Sequence, residues 1–161
     1  DFDNLVVIPA LQYENIEGAK VRGLEFELEH QFSPAFKIDG NVSLTDTEDK
    51  LFDQDLLGAA DWMANVSVIY QPGIDSSYVL RYRYVDERYR SPTDARDKLD
   101  SYNTLDATGS WFNMGLPGLT LRAGIKNLFD EDVADPAPER TYANDYPRNG
   151  RTYWAQITKD F

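Results

Sequence analysis

The chain has no cysteine in its 161 residues, so neither disulfides nor thiolate metal sites hold it together. Cations are scarce: 16 Lys and Arg face 28 Asp and Glu, giving a net charge of -12. That balance excludes nucleic acid as a partner, because neutralising phosphates needs a basic face. Long apolar runs are also missing, and nothing approaches the roughly 20 residues of a membrane-spanning helix. The one histidine, His30, has nothing around it that resembles a nucleophile elbow. Neither G-x-x-x-x-G-K-[ST] nor G-x-G-x-x-G occurs. No enzyme, catalytic residue, metal site or cofactor is therefore expected. The acidic clusters Asp130-Glu131-Asp132 and Asp46, Glu48, Asp49 lack the spacing of a Ca²⁺ loop and read as solvated. No leader is visible in Asp1-Phe2-Asp3-Asn4, so the chain reads as mature or as a piece whose beginning lies elsewhere.

What the sequence has is alternation with a period of two. In the last stretch Tyr153, Ala155, Ile157 and Phe161 fall on one side, with Gln156, Thr158 and Asp160 on the other; Trp154 is the exception. Eight such stretches predict an all-β, antiparallel chain: about 5–8, 21–32, 36–45, 62–71, 78–85, 102–112, 119–128 and 151–161. In the second, Leu24, Phe26, Leu28, His30 and Phe32 oppose Glu25, Glu27, Glu29 and Gln31. The joins alternate between short turns, such as Ser33-Pro34-Ala35, and long connections at 9–20, 46–61, 86–101 and 129–150. Strict alternation of short and long joins between strands near ten residues is the order of a transmembrane β-barrel. Aromatics gather at the strand ends, Phe32, Phe36, Tyr70, Tyr78 and Trp111 at the short turns and Trp62, Tyr84 and Tyr153 opposite. Two such bands predict girdles at the two lipid–water interfaces.

Three stretches carry a family resemblance. Val21-Arg22-Gly23-Leu24-Glu25-Phe26-Glu27, Ile125-Lys126-Asn127-Leu128-Phe129-Asp130 and Gly150-Arg151-Thr152-Tyr153 with a terminal Phe161 resemble, in that order, the C-terminal strands of TonB-dependent outer-membrane receptors. The resemblance implies the end of a barrel of about 22 strands around a plugged lumen, in the outer membrane of a Gram-negative bacterium. It also implies active import of a scarce solute such as siderophore-bound iron, cobalamin or an oligosaccharide. The partners implied are outer-membrane lipid and lipopolysaccharide, an N-terminal plug domain and TonB through an N-terminal box, both absent here, and the barrel assembly machinery. Residues 1–161 would supply barrel wall and extracellular loops, with Tyr153, Ile157 and Phe161 in the membrane-insertion signal. Lys159 departs from the hydrophobic residue usual there, and its stem is expected to snorkel.

Polar rows facing the lumen or plug are expected at Glu25, Glu27, Glu29, Lys37, Arg81, Arg83, Arg122 and Lys126, because Arg or Lys facing lipid at the midplane would cost about 2–4 kcal/mol. The Glu ladder should find opposite charges, from the Arg81/Arg83 strand or a plug. Substrate contacts are expected from loop residues that mix aromatics with Arg and Asn: Tyr89, Arg90, Arg96, Arg140, Tyr142, Asn144 and Tyr146. Loops that merely shield the pore fit the same composition. The alternative to a receptor is a complete small eight-stranded outer-membrane barrel with a structural or adhesive role. A soluble carbohydrate-binding sandwich is a third reading.

Overall fold

The structure is a computed structural model that describes residues 18–91, 93–139, 142 and 144–160, with the backbone alone of 5–7 and 14–16. Seven long strands make one sheet: β3 (Ala19–Ser33), β4 (Phe36–Asp49), β5 (Trp62–Gly73), β6 (Ser76–Val85), β7 (Tyr102–Trp111), β8 (Leu119–Lys126) and β11 (Thr152–Lys159). Each pairs antiparallel with its neighbour in the chain, and the sheet runs from β3 to β11 without a crossover. Two small sheets stand apart, β1 (Leu5–Val7) with β2 (Glu14–Ile16), and β9 (Ala134–Asp135) with β10 (Tyr146–Pro147). The wall thus holds seven of the eight expected strands. Among the described residues the first, at Leu5–Val7, pairs with β2 and not with the wall.

Register fixes the faces. Leu28, Gly40, Val66, Tyr82 and Leu105 are successive Cα partners across five strands, and Ala107, Ile125 and Tyr153 continue that face to β11. The row beside it runs Glu27, Asn41, Asn65, Arg83, Thr104. One face is therefore apolar and the other polar across the whole sheet, which the period of two in each strand demands. Among the described residues no large side chain is fully buried, whereas Phe26, Leu28 and Ile157 keep 62, 69 and 73% of their surface exposed. A water-soluble sandwich buries such a face; here it lies open, as a lipid-facing wall requires.

The apolar face has defined limits. From Leu24 to Phe32 it covers roughly 27 Å along the strand, or about 20 Å of height at a tilt near 40°, close to the apolar band of a membrane barrel. Beyond Leu24 the same face carries Arg22, partnered with Asp46, and Lys20, which pairs with Glu48 at 3.1 Å. The charges begin where the hydrocarbon would end. At the short-turn end aromatic rings line the strand ends in two groups: Phe32 to Phe36 at 5.5 Å, and Tyr70 to Tyr78 at 6.4 Å with Tyr78 to Trp111 at 6.1 Å. At the long-connection end Trp62 and Tyr84 lie 4.3 Å apart. Lys159 sits on the apolar face opposite Leu119, and its Nζ donates to the Pro117 carbonyl in the adjoining turn, so the charge leaves the face as a snorkelling lysine does.

Trp154 is the residue that breaks the alternation of the last strand. Its Cα partner is Gly124, and a Cβ on that glycine would lie 2.7 Å from the indole ring. The ring lies on the polar face against the neighbouring backbone, in a space only glycine leaves. Gly109 makes the same room for Trp111 on the apolar face.

Candidate functional site

The polar face and the long connections are the two places where chemistry can sit. On the polar face Asn65 Nδ2 donates to Asn41 Oδ1 at 3.0 Å, and Asn41 Nδ2 donates to Glu25 Oε1 at 2.9 Å. Lys37 pairs with Glu29 at 2.9 Å. Within this sheet the Glu ladder meets the positive charge of Lys37 at Glu29 and the neutral Asn41 amide at Glu25, because β4 lies beside β3 while β6, with Arg81 and Arg83, is two strands further away. Arg81, Arg83, Arg122 and Lys126 fall on the same face as the glutamates, by register.

The long connections are tied to one another by arginine. Arg90 forms a fork on Asp145, with Nη1 and Nη2 donating to the two carboxylate oxygens at 2.6 and 2.7 Å. Asp145 also accepts the Ala137 N–H at 3.2 Å and lies 3.6 Å from Arg96. Arg96 donates to Asp94 at 2.5 Å and to the Ala137 carbonyl at 3.0 Å. A second hub is Asp135, gripped by Arg148 at 2.8 and 2.6 Å and 3.8 Å from Arg88. Arg88 is buried, donates to the carbonyls of Ala134 and Asp100 at 2.6 and 3.1 Å, and stands 4.7 Å over the Tyr102 ring. Below it Val85, Tyr102 and Val133 form a small buried cluster.

These pairings set the acidity of the loop groups. The Arg90 hydrogen bonds hold Asp145 down to about 2, and those of Arg96 hold Asp94 down to about 2. Arg148 likewise keeps Asp135 below its ordinary value, while burial lowers Arg88. Forked Arg–carboxylate bonds are the strong, geometrically specific kind.

The expected substrate residues therefore part into two groups. Arg90 and Arg96 spend their donors on Asp145, Asp94, Asp97 and Ala137, within and between the connections. Tyr89 donates to Asp61 at 3.2 Å and carries Lys98 over its ring at 3.7 Å. Tyr142 and Tyr146 stack at 5.7 Å and remain exposed, as does Asn144. Arg140 and Phe161 lie outside the described residues. Sequence reasoning missed Arg88, Asp135, Asp145 and Arg148, although arginines concentrated in the connections of an acidic chain were a signal for them.

Comparison with known proteins agrees with the geometry. The family model described as TonB dependent receptor-like, beta-barrel matches residues 1–128. A variant of the ferric enterobactin receptor PfeA of Pseudomonas aeruginosa superposes with a TM-score of 0.77 at 23% identity, over 93% of this chain and 23% of that one. The siderophore receptor PiuA of Acinetobacter baumannii gives 0.76 at 19%, over 98% and 24%. The copper transporter OprC gives 0.75 at 21%, over 93% and 25%. At such identities the likeness establishes the fold alone, and the chain spans about a quarter of the length of these structures. No curated protein sequence matches the chain significantly.

Proposed function

We infer the function from the family to which this chain belongs, the TonB-dependent receptor-like β-barrels: it supplies wall and outer loops to a receptor that actively imports a scarce solute. The family lies in the outer membrane of Gram-negative bacteria and consists of receptors and transporters, not enzymes. The observation that carries the reading is the two-faced sheet, apolar toward lipid and charged on the other side, capped at one end by arginine-tied connections. Solute would meet the outer connections, with Tyr142, Asn144 and Tyr146 as the exposed contacts; Arg140 belongs to the same stretch of sequence. Arg90 and Arg96 would shape that surface rather than reach the solute.

Glu25, Glu27, Glu29, Lys37, Arg81, Arg83, Arg122 and Lys126 would face a plug domain or the solvated lumen. Rearrangement of that plug, driven by TonB through an N-terminal box, would release the solute inward. Lipopolysaccharide would surround the outer apolar rim, and the stretch of sequence carrying Tyr153, Ile157 and Phe161 would be read by the barrel assembly machinery. Siderophore-bound iron, cobalamin and oligosaccharides are all compatible with this wall.

The test is accumulation of labelled solutes from such a panel by cells with and without the full-length protein, each in the presence and absence of TonB. Loss of one solute in both deletions supports the reading. Accumulation that never depends on the protein overturns it. The intact mass of the denatured protein from native outer membrane is the companion measurement: several times 18.4 kDa supports a receptor, whereas a mass equal to this chain favours the small barrel.

A further inference from the structure

One cavity carries a charge opposite to that of the chain. It lies at the long-connection end of the polar face, with a volume of about 600 Å³, and its lining includes Arg83, Tyr102, Asp106, Lys126, Asn127 and Arg148. We propose that this cavity, where Arg83 and Lys126 stand beside an Arg148 locked by Asp135, is a binding site for a solute bearing carboxylate or phosphate groups.

Three observations carry the proposal. First, Arg83 and Lys126 make no ion pair or side-chain hydrogen bond among the described residues, so their donors are free. Second, the local carboxylates are committed. Asp106 accepts the Asn127 N–H at 2.8 Å, and Asp135 holds Arg148 at 2.6 Å while Arg88 stands 3.8 Å away. The cavity lining therefore holds three cations, Arg83, Lys126 and Arg148, against one carboxylate, Asp106, in a chain whose net charge is -12. Third, the fork of Arg148 Nε and Nη2 on Asp135 fixes that side of the cavity wall before any ligand arrives, and leaves the oxyanion contacts to Arg83 and Lys126. The volume falls within the roughly 300–1,000 Å³ of small-molecule pockets. Guanidinium groups favour planar, bidentate oxyanions. The site rests on the import reading, since it needs the polar face to line a solute path, and it deepens that reading by fixing the charge of the solute.

The experiment uses the full-length protein in detergent, with citrate and pyrophosphate as probes in calorimetric titration. Wild type should bind at least one probe, with affinity falling as salt rises. Arg83→Gln with Lys126→Gln should weaken binding by about tenfold or more, and Lys126→Gln alone should weaken it less. Arg22→Gln, at the rim of the opposite face of the sheet, should bind as wild type does. Unchanged thermal melting of each variant establishes that it is folded. Absence of binding by wild type, or equal weakening by Arg22→Gln, overturns the anion site. The import reading is tested separately by the cellular panel: protein-dependent uptake of neutral solutes alone would leave import standing and reject the anion site.

Discussion

At the scale of single residues, Asp145 does the most to hold the outer connections together. It takes a fork from Arg90 and an N–H from Ala137, and it lies beside Arg96. Asp145→Asn should therefore loosen residues 90–97 from 134–137 by roughly 2 kcal/mol, the scale of hydrogen bonds to a charged group. Amide hydrogen exchange of the two segments reads this directly, and unchanged protection would show the fork to be dispensable. The pH dependence has a defined sign. Asp145 is held down to about 2 in the folded loops, against an ordinary value near 4. Its contribution is thus complete above about pH 4 and is lost as pH falls toward 2. Exchange protection of these segments should be flat between pH 7 and 4 and drop below that. The sequence could offer Arg90 as a polar loop residue, but its partner stands 55 positions away, and no spacing rule reaches that far.

Strands were the most legible level, because a period of two is printed in the residues and fixes both faces once the register is known. The apolar and polar rows, the aromatic bands and the snorkelling Lys159 could all be read in advance. Trp154 could not, since its reason is a glycine on the neighbouring strand rather than anything in its own. Gly124→Val should displace the indole and lower the yield of folded barrel, seen as loss of heat-modifiable mobility on gels; Gly73→Val, with open space around it, should not. A charge test separates the faces. Val66→Arg, in the middle of the apolar row, should destabilise the barrel by about 2–4 kcal/mol in denaturant titration. Thr108→Lys, on the polar face, should cost far less. Equal costs would remove the distinction between lipid and lumen. The short β1 eluded the same reading: the apolar run 5–8 looked like the end of another wall strand, yet its described residues pair with β2.

For the whole molecule, the order of three weak motifs along the chain identified the family, and the matched residues 1–128 bear that out. The solute was not legible, because the chain spans only about a quarter of the length of the receptor structures it resembles. Every reading of function here depends on one physical assignment, that the Leu28–Val66–Leu105 face meets lipid and the Glu27–Asn65–Thr104 face meets the lumen. The absence of cysteine from these residues makes that assignment directly measurable. Single cysteines at Leu28, Val66 and Leu105, and at Glu27, Asn65 and Thr104, would each carry a fluorophore in an otherwise cysteine-free full-length protein reconstituted in bilayers. A quencher confined to the lipid tails should silence the first three labels and spare the second three. Quenching that ignores the alternation, or runs opposite to it, would contradict the barrel wall and the transport reading built on it.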